Sequence, residues 1–158
     1  ADTARRVWLA GGTLTFSGPI HPAELGAAVA AAEIHLSDEH EERQARFISQ
    51  IEMVSALLRE HRLPAVAFDP TPIWFIRMGR LSQAIELTRR LMKDGFYVNP
   101  AAYPAVPRGY AGTRFTHTLY QSDDQILGLI ESMARHVPDI LDEPEIVLDL
   151  ADENAPTA

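Results

Sequence analysis

The sequence predicts an α+β fold: a largely antiparallel sheet with helices on one face, preceded by a long connecting helix. Three observations carry this. Ile73-Trp74-Phe75-Ile76-Arg77-Met78 and the stretch from Thr113 to Tyr120 read as strands. Residues 80–94 and 122–137 place apolar side chains at helical spacing. The connections between these segments are short and hairpin-like, which favours antiparallel pairing with helices packed on one side.

Taken in order, residues 1–21 read as irregular or extended. Gly11-Gly12 and Gly18-Pro19 punctuate them, and Thr13-Leu14-Thr15-Phe16 alternates as a strand does. His21-Pro22-Ala23-Glu24 opens a helix, because proline is tolerated in a first turn. Its centre, from Leu25 to Ala32, is almost entirely small residues. That surface lets another backbone approach closely, so the helix is expected to pack against a larger body or a partner subunit. A second helix starts at Ser37-Asp38, where Asp38 and Glu41 have capping-box spacing. Phe47, Ile51, Val54 and Leu58 step along one face, and Leu63-Pro64 stops it. At ~37 Å for about 25 residues it has the length of a strut between domains.

From Pro64 the pattern reads strand (65–68), strand (73–78), helix (80–94), strand (96–98), a Pro/Gly/Tyr-rich loop (99–112), strand (113–120) and helix (122–137). Gly95 is the expected stop of the first of these helices. In strand 113–120, Arg114, Thr116 and Thr118 share one face, and Phe115, His117 and Leu119 the other. Ser122 is the expected cap of the last helix, and Pro138 its expected end. The organisation that follows is 1–37, a connector helix 38–63, an α+β domain 64–138, and an acidic tail 139–158.

Composition narrows the function. The 158 residues carry a net charge of −8. Seven of the 22 acids lie in residues 139–158, which hold no basic residue, so the remaining body is nearly neutral. Nucleic-acid binding lacks its basic footprint. No apolar run approaches the ~20 residues of a membrane span, and no signal-type stretch follows the first residues. There is no cysteine. These features predict a cytoplasmic protein with neither nucleic acid nor membrane as partner.

The six histidines make no metal-ligand spacing, so no metal site is expected. No nucleophile elbow or phosphate loop is present. Thirteen of the 14 basic residues are arginines, and Lys93 is the only lysine. Its position in the last turn of a helix suits a cation facing terminal carbonyls. Arg114 is the unusual residue, an arginine inside a strand of Phe, Thr, His and Leu. It either pairs with a local carboxylate or captures a ligand carboxylate or phosphate in bidentate fashion. The loop Tyr103-Pro104-Ala105-Val106-Pro107-Arg108-Gly109, stiffened by proline, is a candidate wall for such a site.

The run Gly95-Phe96-Tyr97-Val98-Asn99-Pro100-Ala101-Ala102-Tyr103-Pro104-Ala105-Val106-Pro107 is followed by Gly112-Thr113-Arg114-Phe115-Thr116, then by Ser122-Asp123-Asp124-Gln125-Ile126. Upstream stand Thr15-Phe16-Ser17-Gly18-Pro19-Ile20 and the alanine-rich helix. This succession, over about residues 11–137, resembles the small C-terminal domain of fold-type I pyridoxal-phosphate (PLP) enzymes. It is most similar to the α-oxoamine synthase branch, which includes the 8-amino-7-oxononanoate synthases; aminotransferases share the scaffold.

The resemblance implies a transferase that uses pyridoxal 5′-phosphate and works as a homodimer. Its substrates would be an amino acid and, in the synthase branch, an acyl-CoA. It implies that Arg114 holds the substrate carboxylate and that Ser17 contributes to the cofactor phosphate site, in many members from the neighbouring subunit. Residues 1–37 would then be the tail end of a large cofactor domain. The cofactor's lysine lies, in this family, upstream of the matched region, so no catalytic residue is expected in this chain and the chain alone is not expected to be competent. The alternative is a stand-alone α+β binding or dimerisation module with Arg114 reading an anion.

Overall fold

In the computed structural model of the chain, the described residues are 2–12, 17–68 and 70–143. They form two compact units, 1–42 and 43–158, described in turn.

The first unit holds α1 (Asp2–Ala10), α2 (Pro22–His35) and the start of α3 (Asp38–Glu60). Residues 2–10 are helical rather than irregular. Asp2 lies in the first turn, where the helix dipole favours an anion, and Gly11 N–H closes the end on the Val7 carbonyl at 2.8 Å. Gly11 thus follows the end of a helix rather than an extended segment. The strand expected at 13–16 lies outside the described residues. Helix α2 starts at Pro22 as expected and buries no residue. At its end the His35 Nδ1 meets the Ala31 carbonyl at 2.7 Å, and Ser37 Oγ donates to the Ile34 carbonyl at 2.9 Å. The rings of His35 and His40 stack across the corner at 4.8 Å.

The second unit is the α+β body. It contains β1 (Ile73–Gly79), α4 (Leu81–Lys93), β2 (Asn99–Ala101), β3 (Ala111–Thr116) and α5 (Asp123–Asp142). The three strands are antiparallel in the order β1-β3-β2. Trp74 faces Phe115 and Ile76 faces Thr113, all buried. The other face carries Phe75, Arg114 and Asn99 in one cross-strand row. Strand alternation therefore gives the sheet one covered face and one open face.

Three helices cover the buried face. Thr88 of α4 meets Thr113 of β3, hydroxyl to hydroxyl, at 3.4 Å. Phe47 of α3 sets its ring edge against His117, with centroids 5.1 Å apart. Gln50 of α3 donates to Asp123 of α5 at 2.8 Å. The core is Val54, Leu58, Trp74, Ile76, Leu87, Leu91, Ile130, Met133 and Ile140 with their neighbours. Fully burying each such side chain contributes roughly 1.5–3 kcal/mol. Gly112 on β3 has no room for a side chain: a Cβ there would overlap the Ile76 carbonyl oxygen and lie 2.7 Å from Cε1 of Phe75.

Four boundaries differ from the sequence reading. Residues 65–68 make only an isolated bridge, Ala65 to Ile76, not a strand. Residues 96–98 are not a strand either; the edge strand is Asn99–Ala101, within the segment expected to be loop. Phe96 N–H is held by the Leu91 carbonyl at 2.8 Å and Gly95 N–H by Met92 at 3.1 Å. This is a Schellman closure around Gly95 (φ 95°), and it keeps Phe96 tied to the helix end. Pro100 is tolerated in β2 because an edge strand need not donate on its outer side. Strand β3 spans Ala111–Thr116, ending short of Tyr120. Finally, α5 runs through Pro138 to Asp142. Burial of Val137 and Ile140, and the bond from Gln83 Nε2 to the Ile140 carbonyl at 3.2 Å, hold the turn beyond the proline. Residues 139–143 therefore belong to that helix end, and Glu143 pairs with Arg90 at 3.0 Å; residues 144–158 lie outside the described residues.

Candidate functional site

Strand β2 pairs with β3 only as far as Asn99 opposite Arg114. The preceding residues, Gly95–Val98, bend away toward the end of α4. The gap between them and β3 is a pocket of about 610 Å³. One wall is Gly95–Asn99, the second is Arg114–His117 of β3 and its continuation, and the floor is Tyr120, Gln121 and the first turns of α5. Because it opens at a free strand edge, it is lined from both sheet faces. Arg114 and Thr116 come from the open face, Phe115 and His117 from the covered one.

Arg114 is exposed, and among the described residues no carboxylate lies within salt-bridge distance of it. Of the two readings the sequence leaves open, a local ion pair is thus not the one the structure shows. The guanidinium stands between Asn99 and Phe75 in register and presents its donors to solvent. A planar fork of this kind binds a carboxylate or phosphate through two parallel hydrogen bonds.

His117 is the group that sequence reasoning missed. Its ring is buried, stacked on Trp74 (centroids 5.2 Å, planes at 16°), with Phe47 edge-on. Burial pushes its pKa below the ordinary histidine value of 6.5. Both ring nitrogens are buried, and among the described residues neither has a hydrogen-bond partner. Alternation along the strand puts His117 opposite Arg114 in facing. It does not reveal that β2 leaves the ladder early and lets both line one pocket.

The other candidates lie elsewhere. The loop 103–109 is not a wall of this pocket. Its Arg108 sits over the Tyr103 ring at 4.9 Å, and Arg77 of β1 sits over Tyr110 at 3.9 Å. Ser17 is exposed and belongs to the first unit. Lys93 lines a separate shallow hollow with Thr88, Arg89, Met92 and Pro100. The only lysine of the chain and Arg114 thus line different hollows. No group of three metal-ligating side chains is gathered among the described residues. No helix there is long and apolar enough to cross a membrane.

Asp94, at the end of α4, gathers three donors: Ser132 Oγ at 2.6 Å, His136 Nε2 at 2.9 Å and Arg135 at 3.1 Å. The Ser132 and His136 hydrogen bonds hold its carboxyl below the usual range. Ser132 and His136 meet the same carboxylate oxygen, so the group ties α4 to α5 rather than forming a relay from acid to base to nucleophile.

Comparison with known proteins bears on the fold. No family model matches the chain. It is 26% identical over 125 residues to the 8-amino-7-oxononanoate synthase of Trichlorobacter lovleyi, a match covering 78% of this chain and 31% of the relative. The solved 8-amino-7-oxononanoate synthase of Francisella tularensis superposes with a TM-score of 0.71 at 22% identity, over 87% of this chain and 39% of that one. A serine palmitoyltransferase structure with PLP as an internal aldimine superposes with a TM-score of 0.79 at 19% identity, over 87% and 34%. The chain thus spans about a third of the length of the proteins it matches.

Proposed function

From a chain similar in sequence to 8-amino-7-oxononanoate synthases, and in fold to the C-terminal portion of the fold-type I PLP-dependent α-oxoamine synthases, we propose that it is the C-terminal region of a PLP-dependent transferase. The reaction class is condensation of an amino acid with an acyl-CoA. In this reading the cofactor and its lysine belong to the remainder of a longer protein. This chain supplies the arginine for the substrate carboxylate and part of the site wall.

The observation that carries the reading is Arg114: a guanidinium on the open sheet face, at the mouth of a pocket, without a carboxylate partner among the described residues. Its own chemistry is to orient a substrate by two fixed hydrogen bonds, which holds the rest of the molecule in one direction. Ser17 is proposed as a hydroxyl contact to the cofactor phosphate, from a neighbouring subunit of a homodimer.

Two further features support the domain reading. Helix α3, with 23 residues, is about 35 Å long, enough to connect two bodies. In the first unit Trp8, Leu9, Leu25, Val29 and Leu36 are exposed, and Gly26 of α2 has open space where a Cβ would stand. Apolar exposure of this extent marks a surface that another body covers. Residues 1–37 are proposed as the end of the large domain, 38–63 as the connector and 64–138 as the C-terminal domain.

The test is Arg114→Ala in the native gene product that carries this chain. Amino-acid binding should weaken by about 1.5–3 kcal/mol, the range for hydrogen bonds to charged groups, while cofactor retention stays unchanged. Equal losses for amino acid and cofactor would remove the assigned role.

A further inference from the structure

The outer flank of α4 carries a hollow separate from the pocket beside Arg114. Ile85, Thr88, Arg89, Met92 and Lys93 of the helix line it, together with Pro100 of the edge strand β2. Its floor is apolar and open: Ile85 is half-buried, and Met92 is 53% exposed. Two cations stand on its rim. Arg89 donates to Glu86 at 2.8 and 2.7 Å, and a guanidinium has further N–H donors beyond those two. Lys93 has no carboxylate within salt-bridge distance among the described residues. An exposed apolar floor under a cationic rim is complementary to a segment that joins aliphatic side chains to carboxylates.

The chain has such a segment, and it starts beside the hollow. Helix α5 ends at Asp142, and Arg90 of α4 holds Glu143 at 3.0 Å. Pro144-Glu145-Ile146-Val147-Leu148-Asp149-Leu150 comes next, and residues 144–158 contain four acids and no base. At about 3.6 residues per turn, Arg90, Lys93, Arg89 and then Ile85 with Met92 follow one another around α4. Half the girth of a helix with its side chains is about 17 Å, which about five extended residues cover. Glu145 therefore reaches the rim, and the three aliphatic residues after it reach the floor. We propose that residues 145–149 dock in this hollow of their own chain: Ile146 to Leu148 on Ile85, Met92 and Pro100, and Glu145 on the rim at Arg89 and Lys93. The segment then clasps α4 from outside and covers β2 at Pro100. This inference does not depend on the cofactor or on Arg114.

Lys93 is the only lysine of these 158 residues, so its amine reports on the clasp. In the native gene product that carries this chain, a water-soluble carbodiimide should couple Lys93 Nζ to the Glu145 carboxylate as an amide, mapped by peptide mass spectrometry. Glu145→Gln should abolish that link. Removing residues 144–158 should speed acetylation of Lys93 about fivefold, as a docked-to-open ratio of about four to one requires. Ile146→Ser combined with Leu148→Ser keeps every acid, and should speed acetylation by a similar factor. If the shortened protein does not fold, the cross-link in the unaltered protein and the double exchange decide. No link from Lys93 to residues 145–149, or acetylation equally fast with and without the segment, overturns the inference. A link and an acetylation rate both unchanged by the double exchange overturn the hollow as the seat and leave a tether of charges alone. In a mixture of heavy-isotope-labelled and unlabelled protein, links that join labelled to unlabelled peptides overturn the clasp within one chain in favour of a second copy.

Discussion

His117 shows how a single side chain records what a pocket lacks. It is neutral because its surroundings cannot solvate a charge, not because a partner holds it so. Its pKa in the folded protein lies below the 6.5 it has when exposed, so the unfolded chain takes up the proton first. The stability it preserves is present in full above pH 6.5 and is lost as pH falls from there toward the lower folded value. Urea unfolding followed from about pH 7.5 to about pH 5 should show the midpoint falling, and His117→Phe should flatten this part of the profile. A midpoint equally dependent on pH in the variant would contradict the assignment. Arg114 was legible beforehand, since an arginine inside an apolar strand stands out. His117 was not, because one more histidine in a strand carries no signal until its ring partners are known.

The elements were legible where local chemistry decides them, and not where long-range packing does. Ser122 caps α5 as its sequence predicts: its Oγ accepts from Gln125 N–H at 3.2 Å, and Gln125 Oε1 accepts from Ser122 N–H at 2.9 Å. Removing one such cap costs about 1 kcal/mol. Ser122→Ala should lower the denaturation free energy by that amount, with little change in the dependence on denaturant; no measurable loss would mean the cap is redundant. At its other end α5 passes through Pro138 because tertiary contacts hold the last turn. Arg90 reaches from α4 to Glu143 and also grips Glu86 at 2.7 Å. Arg89 and Arg90 bring the Glu86 carboxyl down to about 2, Arg89's hydrogen bond being the larger influence. Proline's local rule predicts a stop, and only the partners across the fold explain why there is none. The same holds for Phe96-Tyr97-Val98, strand-like in composition. The Schellman closure at Gly95 and the burial of Val98 take the backbone there off the ladder.

For the whole molecule, the α+β body and its open sheet face follow from alternation and short connections, and the α+β architecture agrees with the fold of the C-terminal portion of the α-oxoamine synthases. The first unit was less legible. A nine-residue helix with no buried residue, α1, is shorter than the span of about 11–18 residues over which apolar periodicity announces a helix. Under the proposed reading, its exposed Trp8 and Leu9 and the exposed face of α2 would be covered by the rest of a longer protein. The central claim is that this chain works as one part of a longer PLP enzyme whose cofactor lysine is not Lys93. The direct measurement is to treat the native gene product with borohydride, which fixes the cofactor to its lysine, and to map the modified peptide by mass spectrometry. The account predicts one pyridoxyl-modified lysine, in a peptide outside these 158 residues. Modification at Lys93, or none anywhere, would contradict it.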